Sequence, residues 1–138
     1  MPDKTTQKKA ILDQAKVIAV VGLSDKPDRA SNRVSRYLQQ QGYKVVPVNP
    51  NLTEVLGEKC YPDLQSIPVA IDLVDVFRRS EEVYDIVKAA QEKGVPVVWT
   101  QLGVHCNEES QQLAQENHMT LIENACIMVE HRNLFNKS

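Results

Sequence analysis

Five short stretches hold the residues best suited to chemistry: GLSDKPDR (22–29), VNPN (48–51), VFRR (76–79), WTQLG (99–103) and ENACIM (123–128). The first is a polar turn between an apolar run and a helical pattern. Gly22 lets the backbone approach a ligand closely. Leu23, Ser24 and Asp25 follow it, and Ser24 and Asp25 either shape an anion-binding turn or hydrogen-bond their own backbone. Arg33, one helical turn further on, either reaches back over a phosphate or is a solvated helix residue. Lys26 and Arg29 read as loop charges. Asn49 and Pro50 end a β-like run, and the proline ring offers a flat apolar surface to a base. Of Arg78 and Arg79, one faces a cleft, and Arg78 is the better placed. Gln101 and Gly103 follow a strand pattern, where glycine again permits close backbone approach.

Several chemistries are excluded by spacing. A dinucleotide fingerprint needs three glycines and an acidic residue about 20 residues further on. Here Gly22 is followed by Leu23, Ser24 and Asp25, and the second run ends in Val48, Asn49 and Pro50 without a carboxylate. No glycine precedes a lysine, so there is no Walker A loop. His105, His118 and His131, with Cys60, Cys106 and Cys126, match no zinc-site spacing. Asp72 and Asp75 read as facing the same way, which would suit a paired acid and base. Asp75 reads better as a residue that caps or orients the cleft.

The elements that must position these residues are short β-branched runs alternating with helical patterns. VIAVVG (17–22), YKVVPVNP (43–50), AIDLVDVF (70–77), VPVVWTQ (95–101) and MTLIE (119–123) read as strands. Pro47 must then lie at a strand end or on a non-pairing side. Helices are expected after Thr5 or Thr6, after Ser31 or Asn32, after Ser80 and after Asn107, with a short one docking the 125–134 tail. Residues 51–68 read as a loop with a short helix near Leu64, and Trp99 as core. The alternation predicts a doubly wound, Rossmann-like α/β fold. Its sheet has five mainly parallel strands, with helices on both faces in three αβα layers. Ligands in such sheets sit beyond the carboxyl ends of the strands, where strand order reverses. All five stretches above lie there.

The 138 residues fit one domain: an N-terminal helix over 1–16, a core over 17–131 and a tail over 132–138. A formal net charge of −2 argues against nucleic acid and acidic membrane surfaces as partners. The polar start is not a secretory signal, and no apolar run is long enough to span a membrane. Three scattered cysteines favour a reducing cytoplasm. The oligomeric state reads as monomer or homodimer.

AVVGLSDKPDRASNRVSRYL, VPVNPN, LGEKCYPDLQSIP, DLVDVFR, VWTQLG and ENACIMVEH together resemble the small bacterial CoA-binding proteins. These are stand-alone relatives of the CoA-binding Rossmann domain of the succinate–CoA ligase alpha subunit. The likeness runs from about Val17 to His131. It implies coenzyme A or an acyl-CoA as ligand, held in a cleft at the strand ends in a non-catalytic or regulatory role. The turn from Gly22 to Asp25 would meet the phosphates, with Asn49 and Pro50 flanking the nucleotide. Phe77 and Arg78 would lie under the third strand's loop. Gln101 and Gly103 would border the pantetheine arm, and Cys126 would lie near the thiol. Two positions depart from the pattern: Asn51 where a lysine is common, and Asn124–Ala125 where Asp-Arg is common. The 3′-phosphate, which would distinguish CoA from other adenine nucleotides, and the pyrophosphate would then depend on Arg33, Arg78, Lys26 or Arg29. The ligase reaction also needs a phosphorylated histidine from a second domain. Two alternatives are an NAD(H)- or nucleotide-responsive sensor or small redox protein, and an enzyme using Cys126 as acyl or disulfide acceptor.

Overall fold

A computed structural model describes residues 4–135. The start of the expected N-terminal helix, 1–3, and the end of the expected tail, 136–138, lie outside the described residues. Five parallel strands form the main sheet: β1 (Val17–Val21), β2 (Lys44–Val48), β5 (Leu73–Val76), β6 (Val97–Thr100) and β7 (Thr120–Ile122). Their spatial order is β2-β1-β5-β6-β7, so the chain reverses direction across the sheet between β1 and β5. This is the fold class expected from the alternation. The central strands are buried on both faces, which is why they read as unbroken apolar runs rather than alternating ones.

The two faces have separate cores. Ile18 and Val20 of β1, Leu73 and Trp99 pack with Leu12 of α1 (Lys4–Gln14), Val34 and Leu38 of α2 (Ala30–Gln40) and Ile127 of α5 (Ile127–Phe135). On the other face, Ala19, Val74, Val76 and Val98 meet Val83, Val87 and Ala90 of α3 (Val83–Lys93), with the half-buried Leu113 of α4 (Glu108–Glu116) packed against them. Trp99 is fully buried and donates its indole N–H to the Ala125 carbonyl at 2.8 Å. No described helix is long and apolar enough to cross a membrane.

Pro47 lies inside β2, and β2 is the edge strand. Lys44 donates its N–H to Lys16, on the β1 side, and the Gly22 amide donates to the Val48 carbonyl. Even-numbered positions of β2 therefore face β1, and Pro47 faces outward, where no ladder donor is needed. Its carbonyl accepts from the Tyr61 amide at 3.0 Å.

Four expectations are corrected. Thr5 and Thr6 sit inside α1 rather than at its cap. Ser31 and Asn32 lie in the first turn of α2, whose N-cap position is Arg29; the Ser31 hydroxyl accepts instead from the Ser24 amide at 3.0 Å. Ser80 opens a 3₁₀ turn, Ser80–Glu82, ahead of α3, and its hydroxyl accepts from the His105 amide across the cleft. Residues near Leu64 form turns rather than a helix, and the preceding segment makes a small hairpin of β3 (Glu54–Val55) and β4 (Glu58–Lys59).

Asn107 does cap α4, its side-chain oxygen accepting from the Ser110 amide at 2.8 Å. Asn107→Ala is expected to cost about 1 kcal/mol, read as a lowered urea midpoint with an unchanged slope.

Candidate functional site

The carboxyl ends of β1, β2, β5 and β6 open onto one rim, where three adjoining compartments share their walls. The largest, about 840 Å³, runs between the first turn of α2 and the loops after β5 and β6. Its lining includes Arg33, Phe77, Arg78, Gln101, Gly103 and Cys126. A second, about 280 Å³, is an apolar slot between Pro50 and Pro62, with Val48, Leu64 and Ile86 behind. The third, about 320 Å³, lies against the turn after β1 and is lined by Gly22, Ser24, Lys26, Arg29, Ala30, Ser31 and Phe77.

Gly22 stands between the second and third compartments because only glycine fits. Its φ is +88°, and a Cβ there would lie 2.4 Å from the Phe77 carbonyl oxygen. The turn after it is tied to α2: Asn32 donates through its side-chain amide to the Ser24 carbonyl at 2.9 Å, and the Ser24 hydroxyl accepts from the Lys26 amide. No side chain caps the start of α2. The third compartment therefore faces an uncapped helix N-terminus with Lys26 and Arg29 beside it, a positive site suited to an anion.

Of the residues singled out in the sequence, Gly22, Ser24, Arg33, Val48, Pro50, Phe77, Arg78, Gln101, Gly103 and Cys126 line this rim. Three do not. The Leu23 side chain is fully buried in the core. Asp25 is exposed on the outside of the turn. Asn49 is spent on structure, donating to the Leu23 carbonyl at 3.1 Å and accepting from the Asn51 amide at 2.9 Å. The sequence reading missed the Pro62–Leu64 wall, Leu102, Val104, Met128 and the acidic residues Glu81 and Glu82. Leu102 and Met128 lay within the quoted strand-end stretches and signalled themselves; the Pro62 loop carried no such signal.

Gln101 reaches the rim but works inward. Its amide N–H donates to Asp75, and its carbonyl accepts from the Ile127 amide at 3.4 Å, steadying the start of α5. Asp75 is fully buried, with its second oxygen lacking a partner, and burial raises its pKa to about 8 even though the Gln101 bond lowers it. The pairing with Asp72 that the sequence left open as an alternative does not form: Asp75 is sealed inside, and Asp72 accepts from the amides of Lys16 and Val17 at the opposite end of the sheet.

The loop after β6 is clamped by Asn124, whose side-chain oxygen accepts from the Gly103 amide at 2.8 Å. Asn124 adopts a left-handed φ of 57°, and its amide donates to the Thr100 hydroxyl, which donates in turn to the Val104 carbonyl. Cys126 is half-buried at the same wall, whereas Cys60 and Cys106 are buried. Burial and the neighbouring Glu123 push the Cys106 thiol to about 12, so it is inert. Among the described residues no group of His, Cys, Asp or Glu could hold a metal ion.

The amino-acid sequence is 46% identical over 123 residues to the uncharacterized protein YneT of Bacillus subtilis strain 168, covering 89% of this chain and 90% of that one. It is 33% identical over 129 residues to the alpha subunit of an ADP-forming acetate–CoA ligase II of Pyrococcus furiosus, covering 85% of this chain but 28% of that subunit. A hypothetical protein from Pyrococcus horikoshii OT3 superposes with a TM-score of 0.91 at 41% identity, over 96% of this chain and 92% of that one. A family model described as a CoA binding domain matches residues 16–132. The strand-end rim thus sits on a scaffold shared along nearly its whole length, and the chain belongs to the CoA binding domain family.

Proposed function

We propose that the rim binds coenzyme A or one of its thioesters and catalyses no reaction by itself. One observation carries this: three contiguous compartments place a cationic, uncapped helix N-terminus between an apolar slot and a long open groove. CoA has the same order of parts, with a base, a pyrophosphate and an extended arm. The base enters the Pro50–Pro62 slot, the pyrophosphate meets the start of α2 with Lys26 and Arg29, and the arm runs past Phe77 and Gly103 toward Cys126. The three free cysteines fit a reducing cytoplasm.

Thermal shift with CoA, 3′-dephospho-CoA, NAD and ATP tests the reading. A ligand at about 100 times its Kd stabilises by roughly 2.7 kcal/mol, so CoA should raise the Tm well above the effect of NAD or ATP. No shift with CoA, or equal shifts with all four, overturns the proposal. Arg33→Ala and Arg78→Ala are each expected to weaken CoA binding roughly tenfold or more, since each removes a charge-assisted hydrogen bond; isothermal titration measures the loss.

The position of Cys126 on the groove wall favours one second reading, in which its thiol attacks a thioester or a CoA disulfide and releases CoA thiol. An adduct of the acyl or CoA mass on Cys126 supports it, and an unmodified chain removes it.

A further inference from the structure

The large groove and the apolar slot share one wall, made by two side chains. Arg78 and Glu82 both line the large groove and the apolar slot. The Arg78 guanidinium donates to Glu82 Oε1 at 3.0 Å, four residues along the chain. We propose that this ion pair is a movable partition, and that Glu82 is a specificity-determining residue that penalises any ligand crossing from slot to groove, a penalty that only a ligand carrying phosphate between two non-phosphate bodies can offset. The proposal rests on the CoA reading above and names which feature of the ligand opens the site.

Three observations support a partition that moves. Both side chains are partly solvated, 40% exposed for Arg78 and 33% for Glu82, and such pairs hold weakly. Glu82 has a second cation in place: Arg79 Nε lies 3.6 Å from its other oxygen, so releasing Arg78 does not strand the carboxylate. The backbone of the turn is independent of Arg78, because the Arg79 amide donates to Glu82 Oε2 at 3.4 Å and the Glu82 amide to the Arg79 carbonyl at 2.9 Å.

A phosphate competes well for the guanidinium, since planar bidentate contacts suit Arg and are stronger than a solvated carboxylate pair. A ligand confined to the slot, or to the groove, leaves the pair closed and gains nothing from Arg78. A ligand that crosses from slot to groove must displace the guanidinium, and its own phosphates offer the replacement partner. Glu82 therefore taxes every crossing ligand and spares the short ones. It also repels the bound phosphates directly, so its removal should favour crossing ligands alone.

The test is titration of the wild-type chain and Glu82→Gln with CoA, adenosine and pantetheine, with association rates measured by stopped flow. Gln keeps an oxygen for the Arg79 amide, and an unchanged Tm checks that the turn survives. The expected result is CoA affinity about three- to tenfold tighter in Glu82→Gln, carried mainly by a faster association rate, with adenosine and pantetheine unchanged. Equal affinity for CoA in both chains overturns the partition, and so does an equal gain for all three ligands. Absence of CoA binding to either chain overturns the CoA reading itself, a different outcome from either of these.

Discussion

Replacing Gly22 with alanine is expected to destabilise the chain by about 3 kcal/mol and to abolish the proposed CoA binding. Two costs add. A residue with a side chain at φ +88° pays about 1 kcal/mol or more for the left-handed region. The new Cβ also meets the Phe77 carbonyl oxygen at 2.4 Å and Arg78 Cδ at 2.8 Å, and the first of these is backbone that cannot swing away. Either β1 or β5 must move at its carboxyl end, where both are buried and paired. Gly57 separates the terms. It has a φ of +77° but open space where its Cβ would go, so Gly57→Ala should lose only the conformational part. At roughly 3–5 °C per kcal/mol for a domain of this size, the two variants should differ by several degrees in Tm. Equal losses would show that the close approach of Gly22 to Phe77 carries no energy.

The second large effect concerns Asp75. Its folded pKa of about 8 lies above the ordinary carboxyl value, so the native state holds a proton that the unfolded chain has lost. Stability from this group is complete below about pH 4 and falls as pH rises, levelling off above about pH 8. The slope is about 1.4 kcal/mol per pH unit where the difference is one full proton. Two other groups bracket the useful window. Burial holds the His131 pKa below its ordinary value of 6.5, so His131 costs stability as pH falls below that point, the opposite sign. Tyr43, raised to about 12 by burial and by the nearby Asp13 and Tyr37, adds a slope only in strong alkali. Between pH 6.5 and 8 the wild-type Tm should therefore fall, and Asp75→Asn should flatten it. Asn keeps an oxygen to accept from Gln101 and never ionises. A wild-type Tm that holds level across this interval would mean that Asp75 is already charged, and the buried carboxyl would need a counterion.

The parts of this fold that were legible are those where burial alone sets residue type. VIAVV, LVDV and VVWT are sealed between helix layers, so their β-branched character survives without alternation. Rim positions could be read from strand ends, because a parallel sheet delivers every strand to the same edge. Caps were misread wherever a hydroxyl had a distant partner: Ser31 serves the Ser24 amide and Ser80 the His105 amide, contacts 7 and 25 residues apart in sequence. The hairpin of Glu54–Val55 and Glu58–Lys59 is too short to carry a period. Gln101 has a second task that its place after β6 did not reveal: besides lining the groove, its amide joins Asp75 to the start of α5. Glu82 reads in the sequence as an acidic residue suited to the positive end of the helix after Ser80, and its place between two cavities exists only in three dimensions.

Pro47 has a consequence for how the molecule behaves in a crowd. The outer margin of a sheet is an invitation to any passing strand, and long flat margins seed fibrils. On β2 the outward positions are Val45, Pro47 and Asn49. The second has no hydrogen to give and its oxygen is taken by Tyr61, while the third donates its own amide to the Tyr61 carbonyl at 2.9 Å. A foreign strand would thus find Val45 and little else to zip onto. The ring that complicates strand assignment in the sequence acts in the folded protein as a guard against self-association through this edge.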